Sequence, residues 1–466
     1  MTRRIDLAAG GALACLYLAF MSGHLFSVDG LEMYRQGLAL AHGSVHFLEP
    51  LRWGPLVTPN SKFGVGLSLA YVPTLLLLNG GLAVQPSPGQ GFDLMYRDAL
   101  YAAAGAPLHA LITAAAAVFT ARIARRLGGG DAGAIWALVF FGLGSPALIY
   151  ARGDWSQPLT ALGWAVALDA ALATGARSLI VLALAIFATC LTRVVDGALL
   201  APFAFGLALW TRRRPLGPVA AAAAGLGLGV GATLLVAWLR YGSPLVTGYE
   251  GEGWTTPPWI GVPGALFSPG RGILLEFPAA LLAVVGCVVL ARGGRAVPTL
   301  LLGGLALAEL LNTALWSTWW GGANWGLRLF VPALVPLAAL AGVAAARLRG
   351  RLALLSWAAL AGGLLFAVPC VLIDLFSGLP AETNQSLANF HLHAYPPLGA
   401  WPGLHHVLGE ALDDHSSVDV FWLRLAGARG SWLPLLPMAA LLAGAAALAG
   451  AAWRWSTAGA RYNPAG

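Results

Sequence analysis

The chain opens Met1-Thr2-Arg3-Arg4 and then reads, over residues 5–26, IDLAAGGALACLYLAFMSGHLF. Two arginines ahead of an apolar run of about 20 residues read as a membrane span with its N-terminus inside. The run is too long for the apolar core of a secretory leader and lacks a small-x-small cleavage site, so it reads as retained. Comparable runs follow at about 99–121, 131–151, 157–174, 178–192, 198–210, 216–239, 273–291, 297–315, 328–346, 352–372 and 431–453. The basic residues test this layout. Arg122/Arg125/Arg126, Arg177, Arg212/Arg213/Arg214, Arg292/Arg295, Arg347/Arg349/Arg351 and Arg454/Arg461 all fall on the side of Arg3 and Arg4 if twelve spans place both ends inside. Most acidic residues fall on the other side. The apolar segment at about 63–82 is the exception. A crossing there would move every later arginine cluster outside. It also carries Pro73 and ends in Asn79-Gly80-Gly81, so it reads as a juxtamembrane or re-entrant element of the first outer loop.

Composition agrees. Of 466 residues, 58% are hydrophobic and 10% charged, with a mean hydropathy of +0.74. A soluble domain carries roughly 25% charged residues, so a water-soluble enzyme, a nucleic-acid binder and a disordered chain are all excluded. The formal charge of +7 reflects arginines that orient spans, not a polyanion site. The basic residues are 26 Arg and a single lysine, Lys62. Cys15, Cys190, Cys287 and Cys370 all lie in apolar runs without metal-type spacing and read as packing residues. The expected fold is all-α: a polytopic bundle of about twelve spans with amphipathic juxtamembrane helices in the first outer loop. The large outer regions are 27–98 and about 375–430.

The chemistry-bearing residues gather in the outer stretches. Phe26-Ser27-Val28-Asp29-Gly30-Leu31-Glu32-Met33-Tyr34-Arg35 reads as a short amphipathic helix, with Asp29 at the N-cap and Glu32 completing a capping box. The same Asp29 carboxylate suits a general base at the mouth of the first span. Lys62, in Ser61-Lys62-Phe63-Gly64, is either a snorkelling anchor or a phosphate contact. Asp154 follows Arg152 closely enough for a local ion pair and precedes Pro158, which suits a helix start. Leu239–Tyr249, Leu266–Glu276 and Trp316–Arg328 interleave glycines, aromatics and arginines. An interfacial aromatic belt explains many of the rings. It does not call for Arg271 and Arg328 among glycines, which suit a phosphate clamp. Gly225, Gly227, Gly229 and Gly231 lie inside a span and read as a packing face. Glu309 and Asn312 lie one turn apart within a span, as a functional or a structural pair. His391-x-His393 and His405-His406 with Asp413/Asp414 leave a divalent metal open, though no spacing defines a site.

The layout resembles the GT-C superfamily of integral-membrane glycosyltransferases, and within it the branch of protein O-mannosyltransferases and aminoarabinose transferases. The likeness is carried by Asp29-x-x-Glu32, Ser61-Lys62-Phe63-Gly64, Asp154, Ser268-Pro269-Gly270-Arg271-Gly272 and Trp319-Trp320-Gly321-Gly322. It covers residues 1 to about 350, the expected catalytic module; 351–466 would add C-terminal spans and a periplasmic loop at about 375–430. Two departures are visible: the adjacent Asp-Glu pair of the mannosyltransferases is spread here to Asp29 and Glu32, and their Lys-Pro-Pro is Lys-Phe-Gly.

The resemblance implies an inverting transferase of the bacterial inner membrane with a periplasmic site. It would move a sugar from a polyprenyl-phosphate carrier to a hydroxyl of a protein, lipid or glycan. It implies Asp29, Glu32 and Asp154 as the catalytic acids and Lys62, Arg271 and Arg328 as donor-phosphate contacts. Tyr34, Tyr249, Trp319, Trp320 and Asn324 would contact substrate. It fixes no cofactor and leaves a divalent metal open, and a transporter, an acyltransferase or a glycan ligase are the alternatives.

Overall fold

The computed structural model describes residues 2–53, 56–78, 99–212, 214–322, 324–373, 389–399, 401 and 418–461. It is an α-helical bundle. The helices are α1 (Thr2–Ala19), α2 (Val28–Ala41), α3 (Val65–Leu78), α4 (Ala99–Ala124), α5 (Gly130–Gly142), α6 (Ala147–Tyr150), α7 (Gln157–Ala171) and α8 (Ala176–Thr192). Then come α9 (Val194–Arg212), α10 (Leu216–Tyr241), α11 (Pro258–Phe267), α12 (Ile273–Glu276), α13 (Ala279–Arg292), α14 (Ala296–Leu315), α15 (Leu334–Arg347) and α16 (Leu354–Leu372). Two further helices, Phe421–Arg429 and Leu435–Arg461, close the described chain. Leu51–Trp53 and Leu56–Thr58 form a small antiparallel hairpin in the first outer loop.

Each of the twelve runs read as spans contains a helix. Seven helical stretches among the described residues are long and apolar enough to cross a bilayer unaided. One of these, 101–142, is α4 and α5 joined through residues 125–129. Gly128 there takes a φ of 89°, which lets α5 turn back along α4. The first run is shorter than expected. Its helix stops at Ala19, and residues 20–27 leave the helix around Gly23, whose φ is 69°. The 63–82 segment yields α3, whose 14 residues extend about 21 Å, short of the roughly 30 Å hydrocarbon core. The expectation that α2 is cleanly amphipathic is corrected. Glu32 and Gln36, placed on its wet face, are as buried as Leu31 and Tyr34, because α3 covers the helix.

The centre of the bundle is α15, buried along almost its whole length between α5 and α13. Small residues permit this. A Cβ on Gly342 would lie 2.4 Å from the Gly133 carbonyl, and one on Gly286 2.1 Å from that of Leu340. Contact this close supplies the van der Waals attraction that holds helices together in lipid. Of the four alternating glycines at 225–231 in α10, Gly225 and Gly229 do press against α8, while Gly227 and Gly231 face open space.

Each end of the bundle has its own electrostatics. At the N-terminal end, Arg125 pairs with Asp6 at 2.9 Å and Asp131 at 2.8 Å, and Arg122 and Arg126 both reach Asp169. Three acids thus lie among the basic clusters, which the sequence reading had placed mostly apart. At the opposite end, Asp419 makes an ion pair of 2.6 Å with Arg152 and contacts His24 Nε2 at 2.6 Å. All three side chains are fully buried. His24 Nδ1 also faces the Leu25 carbonyl at 2.9 Å. Burial alone would raise the Asp419 carboxyl. The charges of His24 and Arg152 outweigh it and hold the group well below the usual carboxylate range. The Arg152 guanidinium also donates to the carbonyls of Phe20 and Cys370. This hub ties the last outer segment to the irregular chain after α1, and the Arg152–Asp154 pair anticipated from the sequence does not form. Asp419→Ala strands two buried donors and is expected to cost about 3–5 kcal/mol, read as a lowered melting temperature in detergent.

Candidate active site

The site is built at the start of α2. Ser27 is the N-cap, its hydroxyl accepting from the Gly30 amide at 2.9 Å. That corrects the expected capping box. Asp29 sits inside the first turn with its carboxylate free for other partners, and Glu32 turns away to accept from the Lys62 amide at 3.3 Å. Asp154, completely buried, accepts from the amides of Phe26 (2.8 Å) and Ser27 (3.0 Å) and from the Ser27 hydroxyl (3.2 Å). Burial pushes its carboxyl up to about 6, with those amides pulling against it. Gly30 lies flush on Asp154, and a Cβ there would fall 1.9 Å from Oδ2. Gly30→Ala must therefore part α2 from Asp154. It is expected to cost about 1–3 kcal/mol, with a larger loss of activity as Asp29 moves; thermal melts and turnover on the same preparation check both.

Asp29 makes a 2.7 Å ion pair with Arg328, at the start of the turn leading into α15. Beside it stands Arg271, 5% exposed, donating to three carbonyls: Trp320 at 3.2 Å, Gly270 at 3.1 Å and Gly322 at 3.3 Å. Among the described residues no carboxylate lies within ion-pairing distance of Arg271. A buried cation without a counter-charge is costly unless an anion arrives. The charges of Arg271 and Arg328 both act on Tyr150, whose hydroxyl donates to the Trp325 carbonyl and accepts from Asn324 Nδ2 at 3.2 Å. The 316–327 loop brings these groups together through glycine. Gly321 has a φ of 80°, and a Cβ on it would meet Arg328 Cγ at 2.8 Å and Asn324 Nδ2 at 3.1 Å.

Lys62 lies at the same end of the bundle. Its Nζ pairs with Glu252 at 2.6 Å and stands 5.0 Å from the Tyr249 ring centroid and 5.5 Å from that of Phe63. The end of α10 fixes this turn, with Arg240 donating to the carbonyls of Ser61 and Phe63 and Asn60 donating back to that of Arg240. Glu32 interacts with both Lys62 and Asp29. Burial first and the Asp29 charge second push its carboxyl up to about 7, and the Lys62 amide and charge pull it back.

The aromatics divide. Tyr249 flanks Lys62, and Trp320 is half-buried beside Arg271. Trp319 is 2% exposed, packed on Gly264 and edge-on to Trp320. Tyr34 is likewise enclosed, edge-on to Tyr71 and Tyr101. For Trp319 and Tyr34 the expected substrate contact therefore gives way to packing, since neither ring has an open face. The sequence reading missed Glu252, which engages Lys62, and Asp419, which engages Arg152; neither has a local pattern that marks it. It noted Glu309 and Asn312, which contact each other at 3.3 Å, but not Asp196, which pairs with Arg193 at 2.7 Å. His391 and His393 stack edge to face, and His405, His406, Asp413 and Asp414 lie outside the described residues. Among the described residues no three side chains are grouped to hold a metal.

No family model matches the chain, and no curated sequence does. Solved structures do. The crystal structure of ArnT from Cupriavidus metallidurans bound to undecaprenyl phosphate matches 96% of this chain and 76% of its own, with a TM-score of 0.55 at 17% identity. The apo crystal structure of the same protein matches with a TM-score of 0.54, at the same identity and coverage. The chain shares the fold of these structures. The multi-pass bundle is shared along 96% of this chain.

Proposed function

We propose that the protein is a membrane glycosyltransferase that moves a sugar from a polyprenyl-phosphate carrier to an acceptor hydroxyl. The observation that carries this reading is Arg271, a buried guanidinium that among the described residues has no carboxylate within ion-pairing distance, standing next to the Asp29–Arg328 pair in a GT-C fold. The phosphate of the donor supplies the missing negative charge. A planar guanidinium matches phosphate oxygens in a two-pronged contact, and Arg328 adds a second.

Asp29 then acts as general base. The acceptor oxygen attacks the anomeric carbon from the face opposite the phosphate, its proton passes to an Asp29 carboxylate oxygen, and the carbon–oxygen bond to phosphate breaks. The electron pair leaves on the lipid phosphate, where the arginines neutralise it, and the sugar configuration inverts. Arg328 pairs with Asp29 at 2.7 Å. Donor phosphate draws the guanidinium off the carboxylate, so the base is released only once a donor is in place. Lys62 plays a parallel part, exchanging Glu252 for phosphate. Asp154 holds the start of α2 rather than touching substrate, Tyr249 and Trp320 line the sugar side, and Asn324, fully buried on the Tyr150 hydroxyl, packs behind them. The site faces the extracytoplasmic side, and the donor reaches it from the outer leaflet.

The test is to supply the purified protein in lipid with a panel of polyprenyl-phosphate sugars and hydroxyl acceptors. Carrier-dependent transfer or hydrolysis is expected. Absence of either across the panel, with the wild-type protein folded, overturns the reading.

A further inference from the structure

Glu276 ends α12 and is completely buried. Its Oε2 accepts from the Leu327 backbone amide at 2.8 Å. The approach depends on Gly326, which takes a φ of 69° and whose Cβ, if it had one, would lie 2.7 Å from Oε2. Leu327 immediately precedes Arg328, the residue that holds Asp29. The other carboxyl oxygen, Oε1, is buried with no hydrogen-bond partner, and no cation among the described residues lies within ion-pairing distance. A buried carboxyl kept without a counter-ion in a membrane protein is expensive, and its one contact is the backbone next to a site arginine.

The titratable groups that face this carboxyl come from four directions: Arg271 from the preceding turn, Tyr150 from α6, Cys370 from α16 and Tyr395 from the last outer segment.

We propose that Glu276 is a positioning residue: its carboxyl pins the backbone at Leu327 and so sets the reach of the Arg328 guanidinium toward Asp29 and the donor phosphate. The proposal rests on the reading of Arg328 as a phosphate contact.

The experiment measures binding of undecaprenyl phosphate to the full chain in lipid nanodiscs, for wild type, Glu276→Gln, Glu276→Ala and Gly326→Ala. Glutamine keeps the acceptor for the Leu327 amide, so binding within about twofold of wild type is expected. Alanine removes the clasp and is expected to weaken binding on the order of tenfold. Gly326→Ala drives a methyl against the same oxygen and should match it, which keeps the comparison intact if Glu276→Ala does not fold. Equal binding by wild type, Glu276→Ala and Gly326→Ala overturns the role of Glu276 while leaving the phosphate site standing. A glutamine variant as weak as alanine also overturns it. Failure of the wild type to bind overturns the phosphate reading beneath it.

Discussion

Asp29→Asn is expected to reduce sugar transfer roughly a thousandfold, the scale of losing a positioned general base. Asparagine has the same shape but cannot take a proton from the acceptor. The helix start does not depend on Asp29, because Ser27 caps it and Asp154 holds the amides of Phe26 and Ser27. Folding should therefore survive. Carrier binding should hold or tighten, since Arg328 loses the carboxylate that competes for it. The split between lost turnover and retained binding is the signature: a variant that loses both would mark Asp29 as structural, and one that keeps turnover would remove it from the chemistry. Steady-state transfer measured beside carrier binding on the same preparation decides.

Arg271→Ala is expected to lower turnover roughly a hundredfold to a thousandfold by removing charge from the leaving phosphate. Here binding should fall too. Arg271→Lys should recover little, because an ammonium is a point charge and cannot present a planar fork while meeting the carbonyls of Trp320, Gly270 and Gly322. Lys62→Ala should cost less than Arg271→Ala, as the Lys62 ammonium already has Glu252 at 2.6 Å and must give it up to reach phosphate. If Arg271→Ala transfers sugar at the wild-type rate, the leaving phosphate is not held at this guanidinium.

Much of the helical layout was legible because the bilayer imposes it. An apolar run of fixed length and an arginine on one side leave few alternatives. The stopping point of α1 was not legible, since Met21-Ser22-Gly23-His24-Leu25-Phe26 remains apolar enough to pass for more helix. What ends the helix is tertiary: Arg152, His24 and Asp419 come from three distant segments. The same limit explains the misread partner of Arg152. Proximity in sequence favoured Asp154, yet the amides of Phe26 and Ser27 claim that carboxylate. Arg271 and Arg328 stood out among glycines because those glycines permit the close backbone that surrounds them. Glu252, Glu276 and Asp419 carried no such mark, because each acts on a residue far along the chain.

The central claim is that Arg271 and Arg328 receive the carrier phosphate beside Asp29. The most direct measurement is an experimental structure of the protein with undecaprenyl phosphate in lipid. The account predicts phosphate oxygens about 3 Å from both guanidiniums, with the Asp29–Arg328 pair opened from its 2.7 Å. A headgroup seated instead at the Arg122–Arg126 end of the bundle, with the Asp29–Arg328 pair intact, would contradict it.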